Sequence, residues 1–293
     1  MRKLFQSARQ TRRDFLKKSV VSAAIAASPF AKAAPLLRRV EEIGIQLFSL
    51  RNEMAEDFEG TLEQLAEIGY TEMEFAGYYG KSPAEVRRIL EGFGLTSPAA
   101  HVQLNAIRQN LDREIEIAAT IGQQYIVVPS LPADERSLDD YQRHAETLNL
   151  AGEKTREAGI TMAYHNHDYE FDTQEGGRIG YDILTNQTEP ELVVFEMDLF
   201  WAEVAGYNAT FYFLKHPGRF PMLHVKDRHY SGEMVDVGRG YIDFTELFSY
   251  GLKGGFRHFF VEHDNPSDGI NSMAYSYNTV RDLRFKASYE LPY

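Results

Sequence analysis

Eight short apolar runs at an even beat, amphipathic stretches between them and glycines just ahead of several runs predict an α/β chain folded as one (β/α)8 barrel, a TIM barrel. The runs cover residues 43–47, 72–75, 96–101, 125–128, 160–165, 193–198, 220–224 and 256–262. Each is β-branched or aromatic-rich and four to seven residues long, as strands buried in a parallel sheet are. Their starts lie 24 to 36 residues apart, which leaves room for a crossover helix each time.

The helices follow in order. Leu62, Leu65, Ala66 and Ile68 form an apolar stripe ended by Gly69, and Val86, Ile89, Leu90 and Phe93 form a second ended by Gly94. Glycine past the last apolar position reads as a C-cap. The same ending recurs as Ile121-Gly122 before the fourth run and Ala158-Gly159 before the fifth. A doubly wound open sheet is the competing architecture, but the first strand-helix junction has no Gly-x-Gly-x-x-Gly, so no dinucleotide site is indicated.

Residues 1–33 read as a twin-arginine signal peptide. Thr11-Arg12-Arg13-Asp14-Phe15-Leu16-Lys17 matches the twin-arginine consensus, the apolar stretch 19–27 is too short to span a bilayer, and Ala31-Lys32-Ala33 supplies an A-x-A cleavage site. The expected working enzyme is one barrel domain over 34–293, periplasmic or otherwise exported. Without the signal, 23 basic residues face 42 acidic ones, a net charge of about −19. So acidic a surface argues against nucleic acid and anionic lipid as partners. The absence of cysteine excludes disulfides, thiolate catalysis and a cysteine-held zinc.

In a barrel of this kind the reacting residues belong at the C-terminal ends of the strands. Those ends read Gln46, Glu74, His101, His165 with His167, Asp198, His224 and Glu262. His165, Asp198, His224 and Glu262 fall at four consecutive strand ends, so they can converge on one point, and their nitrogen and oxygen donors suit a divalent first-row metal. His165 and His167 are two apart and share a strand face, so one can ligate while the other binds substrate.

Seven segments, taken in order, resemble the xylose isomerase-like barrels, which include sugar isomerases, epimerases and inosose dehydratases. They are Gly44-Ile45-Gln46-Leu47-Phe48-Ser49-Leu50-Arg51, Gly69 to Phe75, Ala163 to Phe171, Glu196-Met197-Asp198-Leu199-Phe200-Trp201, Leu223-His224-Val225-Lys226-Asp227, Asp236 to Phe244 and Phe260-Val261-Glu262-His263-Asp264. The resemblance implies one divalent ion, manganese, cobalt, magnesium or zinc, held by a Glu, an Asp, a His and a Glu from the last four strands. Asp198, His224 and Glu262 carry over directly. His165 stands where the family commonly has Glu, which speaks against epimerisation by two opposed carboxylates.

A metal there can chelate the vicinal oxygens of a hydroxyketone and stabilise an enediolate. The expected function is therefore a metal-dependent isomerase or epimerase of an unphosphorylated sugar or keto-sugar. A lyase, dehydratase or hydratase acting on a 3-keto-sugar or glycoside is the alternative. Glu262, Glu74 and His101 are the candidate bases and Lys226 the candidate electrophile, while Gln46, His167, Trp201 and Arg239 are candidate substrate contacts. The expected partner is a small carbohydrate, with self-association left open. A sugar-binding barrel without catalysis and a nuclease of the endonuclease IV type are remoter readings; charge and export oppose the nuclease.

Overall fold

The computed structural model describes residues 37–286, and the signal segment read at 1–33 lies outside them. Each of the eight expected runs coincides with or overlaps a strand: β1 Gly44–Gln46, β2 Glu72–Glu74, β3 Ala99–His101, β4 Tyr125–Val128, β5 Thr161–His165, β6 Val193–Asp198, β7 Met222–Val225 and β8 His258–Val261. They form one parallel sheet in the order β2-β1-β8-β7-β6-β5-β4-β3. Parallel bridges from Glu72 to Thr96 and Phe75 to Ala100 bring the two edge strands together. The result is the expected barrel.

Helices α1 Phe58–Ile68, α2 Pro83–Phe93, α3 Leu104–Ile121 and α4 Leu138–Glu157 cover the first half. Gly69, Gly94 and Gly122 cap α1 to α3 in the left-handed conformation, with φ of 118°, 71° and 99°. Ser82 and Ser137 open α2 and α4 with reciprocal capping boxes, each satisfying amide groups that the first turn leaves without partners. The second half is covered by α5 Gly180–Gln187, the short pair α6 Leu199–Val204 and α7 Ala209–Lys215, then α8 Phe244–Ser249 and α9 Gly269–Asp282.

Strand alternation divides the core. Ile45, Met73, Ile126, Tyr164, Phe195, Leu223 and Val261 point outward into the cluster under the helices. Ala99, Tyr125, Val127, Ala163, Met222 and Phe260 point inward and fill the barrel. Gly44 must lack a side chain here, because a Cβ would lie 2.5 Å from the Phe260 ring. Above this apolar plug each strand offers its next inward position, and those positions are almost all ionisable. The plug is thus the floor of the site.

Candidate active site

Two steps along a strand return to the same face, so Met222 in the plug is followed by His224, Phe260 by Glu262, and Ala163 by His165. The β6 strand contributes both Glu196 and Asp198. The resulting ionisable layer is buried: Glu74, Glu196, Asp198 and His224 are fully buried, and His165, Lys226 and Glu262 nearly so.

His165, Asp198, His224 and Glu262 each offer one donor atom, and the four atoms lie within 4.8 Å of one another. Their tautomers are fixed from behind. The His165 Nδ1 faces the Pro129 carbonyl oxygen at 3.1 Å, which leaves Nε2 toward Asp198 Oδ2 at 3.2 Å. The His224 Nε2 faces Glu74 Oε2 at 2.7 Å, which turns Nδ1 toward Glu262 Oε2, also at 2.7 Å. Among the described residues, neither His224 Nδ1 nor Glu262 Oε2 has an aligned hydrogen bond. Two of the four donor atoms, His224 Nδ1 and Glu262 Oε2, thus converge without an aligned hydrogen bond, and each imidazole is held through its other nitrogen, an arrangement that suits a divalent metal. The four residues fit the implied ion.

Behind this set lies a second one. Glu74, His101, Glu196 and His224 also converge, with the His101 Nε2 facing Glu196 Oε2 at 2.9 Å. Gln46 donates its amide hydrogen to Glu74 Oε2 at 2.8 Å. Burial and the Glu196 charge push Glu74 up to about 7. Burial opposes charge on His101, but the carboxylates of Glu74 and Glu196 outweigh it and raise its pKa. Burial and the neighbouring His224 charge lower that of His165, and burial lowers His167 to about 3.

A cleft of about 290 Å³ opens over the set, lined by Phe48, Ala76, His101, Gln103, Pro129, Ser130, His165, His167, Lys226, Glu262 and Asp264. Lys226 Nζ lies 2.9 Å from Asp198 Oδ2, 2.7 Å from Glu262 Oε2 and 2.8 Å from Asp264 Oδ1. Burial disfavours its charge, yet these three carboxylates hold the ammonium well above the ordinary lysine value. Burial likewise raises Glu262, but Lys226 and His224 outweigh it and keep the carboxylate ionised well below the usual range.

The structure thus gathers His101, His165, His167, Lys226 and Glu262 at the cleft, with Asp198 and His224 beneath it. It separates three others. Glu74 and Gln46 are sealed under the layer, where they orient His224 and cannot touch a ligand in the cleft directly. Trp201 stands behind His167, with ring centroids 5.6 Å apart. Its backbone N–H donates to Asp198 Oδ1 at 2.8 Å.

Arg239 is a correction: its side chain is exposed, pairs with Asp236 at 3.2 Å and lies over the Tyr275 ring. The Gly-Arg-Gly segment belongs to a loop folded around buried Asp227, whose carboxylate accepts the N–H groups of Arg228, Gly238, Gly240 and Ile242. Gly240 is required there, because a Cβ would meet Asp227 Oδ1 at 2.1 Å.

Glu196 and Asp264 escape the sequence reading. Glu196 sits inside an apolar run rather than at its end, though its two-residue offset from Asp198 was the available signal. Asp264 lies beyond the last strand, in a loop.

The chain belongs to the xylose isomerase-like TIM barrel family, whose profile matches residues 37–276. An inosose dehydratase of Geobacillus kaustophilus (strain HTA426) is 24% identical over 216 residues, 65% of this chain and 68% of that protein. A solved sugar phosphate isomerase/epimerase of Parabacteroides distasonis ATCC 8503 is 26% identical, with 88% of this chain and 97% of that one covered and a TM-score of 0.71. The structure of the IOLI protein with a bound zinc atom is 14% identical and covers 82% of this chain and 97% of its own, at a TM-score of 0.65. That last likeness shows the fold alone.

Proposed function

We propose that this protein enolises an unphosphorylated keto-sugar or keto-polyol with the help of one divalent metal ion, returning the proton as an isomerase or epimerase does. The observation that carries this reading is the convergence of His165, Asp198, His224 and Glu262 donor atoms within 4.8 Å at the floor of a cleft of sugar size. An ion bound there would supply Lewis-acid polarisation of a carbonyl and charge stabilisation for the enediolate.

The chain's own residues divide the proton work. Glu262 reaches the cleft as an ionised carboxylate and can accept the proton from the carbon beside the carbonyl; the C–H pair becomes the C=C bond and the carbonyl π pair moves to oxygen. Its depressed pKa keeps it available but makes it a weak base, so the carbon acid must be activated. His101, with its raised pKa, is the proton donor on the wall. Among the described residues, the only Lys or Arg lining the cleft is Lys226, and three carboxylates already hold it. A phosphate would find no free cation, which supports an unphosphorylated substrate.

A second reading is favoured by the same asymmetry. With His165, its pKa lowered, where a second carboxylate would be, and an imidazole of raised pKa at His101, the enediolate can expel a β-hydroxyl that leaves as water after taking a proton from His101. That is a dehydration, and a relative named inosose dehydratase supports it.

The test is proton NMR of keto-sugars and keto-polyols incubated with metal-loaded protein in deuterated water. Deuterium entering beside the carbonyl supports enolisation, and loss of the signal of a proton on a hydroxyl-bearing carbon identifies the elimination. Glu262→Gln should keep weakened metal binding but lose the exchange. No exchange across the panel from a fully loaded sample would defeat the proposal and leave a sugar-binding barrel.

A further inference from the structure

We propose that Lys226 is a built-in competitor of the metal, its ammonium occupying two of the donor carboxylates, and that metal binding requires it to withdraw onto Asp264. This inference rests on the metal reading above. Lys226 Nζ lies 2.9 Å from Asp198 Oδ2 and 2.7 Å from Glu262 Oε2. A divalent ion would bind carboxylate oxygens at about 2.0–2.2 Å. Both cations would then crowd one buried space, where like charges repel strongly. The ammonium cannot stay where it is.

Its way out is visible. Of the three carboxylates around it, Asp264 lies outside the donor set, and to Asp264 Oδ1 the lysine donates an aligned hydrogen bond of 2.8 Å. Glu262 Oε2, by contrast, makes no aligned hydrogen bond among the described residues. Asp264 is held in turn, its N–H directed at Met234 Sδ at 3.2 Å. The Trp201 ring, 5.9 Å from Nζ, offers a further cation-binding face. A flexible four-carbon stem allows the ammonium to pivot without losing its charge. Lys226 thus serves as a counterion among otherwise repelling acids. Metal affinity is reduced by the fraction of molecules in which that counterion has moved aside.

The experiment is a cobalt(II) titration of the metal-stripped protein, read by the visible d–d band, with circular dichroism confirming the fold. Lys226→Met should bind cobalt about tenfold more tightly or better, and Asp264→Asn several-fold more weakly, although neither residue is a ligand. Lys226→Gln should move in the same direction as Lys226→Met and serves if the latter precipitates. A crystal structure with cobalt should find Lys226 Nζ on Asp264 and clear of Asp198 and Glu262.

Unchanged or weaker binding by both lysine variants, or an ammonium still within 3 Å of Asp198 Oδ2 beside bound cobalt, overturns the proposal while leaving the metal site intact. Cobalt bound by Lys226→Met but not by wild type supports competition at its strongest. No binding by wild type or either lysine variant overturns the metal reading itself.

Discussion

His224 and Glu74 stand 150 positions apart in the chain and 2.7 Å apart in the fold, Nε2 against Oε2. The imidazole thereby presents Nδ1 to the donor set and gains basicity from the carboxylate behind it. Glu74→Gln keeps an acceptor but removes the charge, so metal affinity should fall roughly 10–100-fold. A chelator competition on folded protein measures this, and unchanged affinity would remove Glu74 from the role.

Asp198 has two tasks, one per oxygen. Oδ2 faces His165 and Lys226, while Oδ1 caps α6 by accepting the Trp201 N–H. Asp198→Asn should lose metal and exchange activity yet keep the cap. Asp198→Ala should lose about 1 kcal/mol more stability than Asn from the missing cap, read as a difference in chemical unfolding. Equal stability of the two variants would show the cap to be of no consequence.

Glu170, which does not itself line the cleft, gives the fold a pH dependence. Burial pushes it up to about 7, against hydrogen bonds from Tyr164 and the His167 N–H. A carboxyl raised above its unfolded value of about 4.3 binds more protons in the folded state, so its contribution falls as pH rises from about 4.3 to about 7 and then levels. The loss is about 4 kcal/mol. Glu170→Gln should remove that part of the slope, as urea unfolding at pH 5 and pH 8 would show; parallel profiles for the two proteins would refute it.

Export is testable without the barrel. Changing Arg12 and Arg13 to Lys should trap an uncleaved precursor in the cytoplasm, seen by fractionation and mass spectrometry. Efficient export of that variant would contradict twin-arginine targeting.

The barrel was legible because burial on both faces leaves continuous apolar runs, and C-cap glycines mark where α1, α2 and α3 stop. The donor set was legible for a related reason: an ionisable residue at the end of such a run is conspicuous. Glu196 was hidden by position, lying two residues before Asp198 within the run, where a lone acid looks like an exception. Arg239 misled because its glycine-flanked segment sits close in sequence to Lys226 and Asp227. Only the fold shows that those glycines admit the Asp227 carboxylate and leave the arginine outside. Lys226 was visible as a residue, but its three carboxylate neighbours come from β6, from the end of β8 and from the loop beyond, distances that no local pattern encodes.

The hold of Asp227 on the N–H groups of Gly238, Gly240 and Ile242 has a mechanical result. An irregular stretch of this kind would ordinarily loosen well before the strands. Anchored to a buried carboxylate beside β7, it should exchange its amide hydrogens on the timescale of the barrel. Met234, on the same stretch, braces the Asp264 N–H, so that stiffness passes to one wall of the cleft. A ligand entering there meets a surface already set. It sacrifices little ordering entropy on that side, and a bulkier relative gains no room by induced movement of that wall.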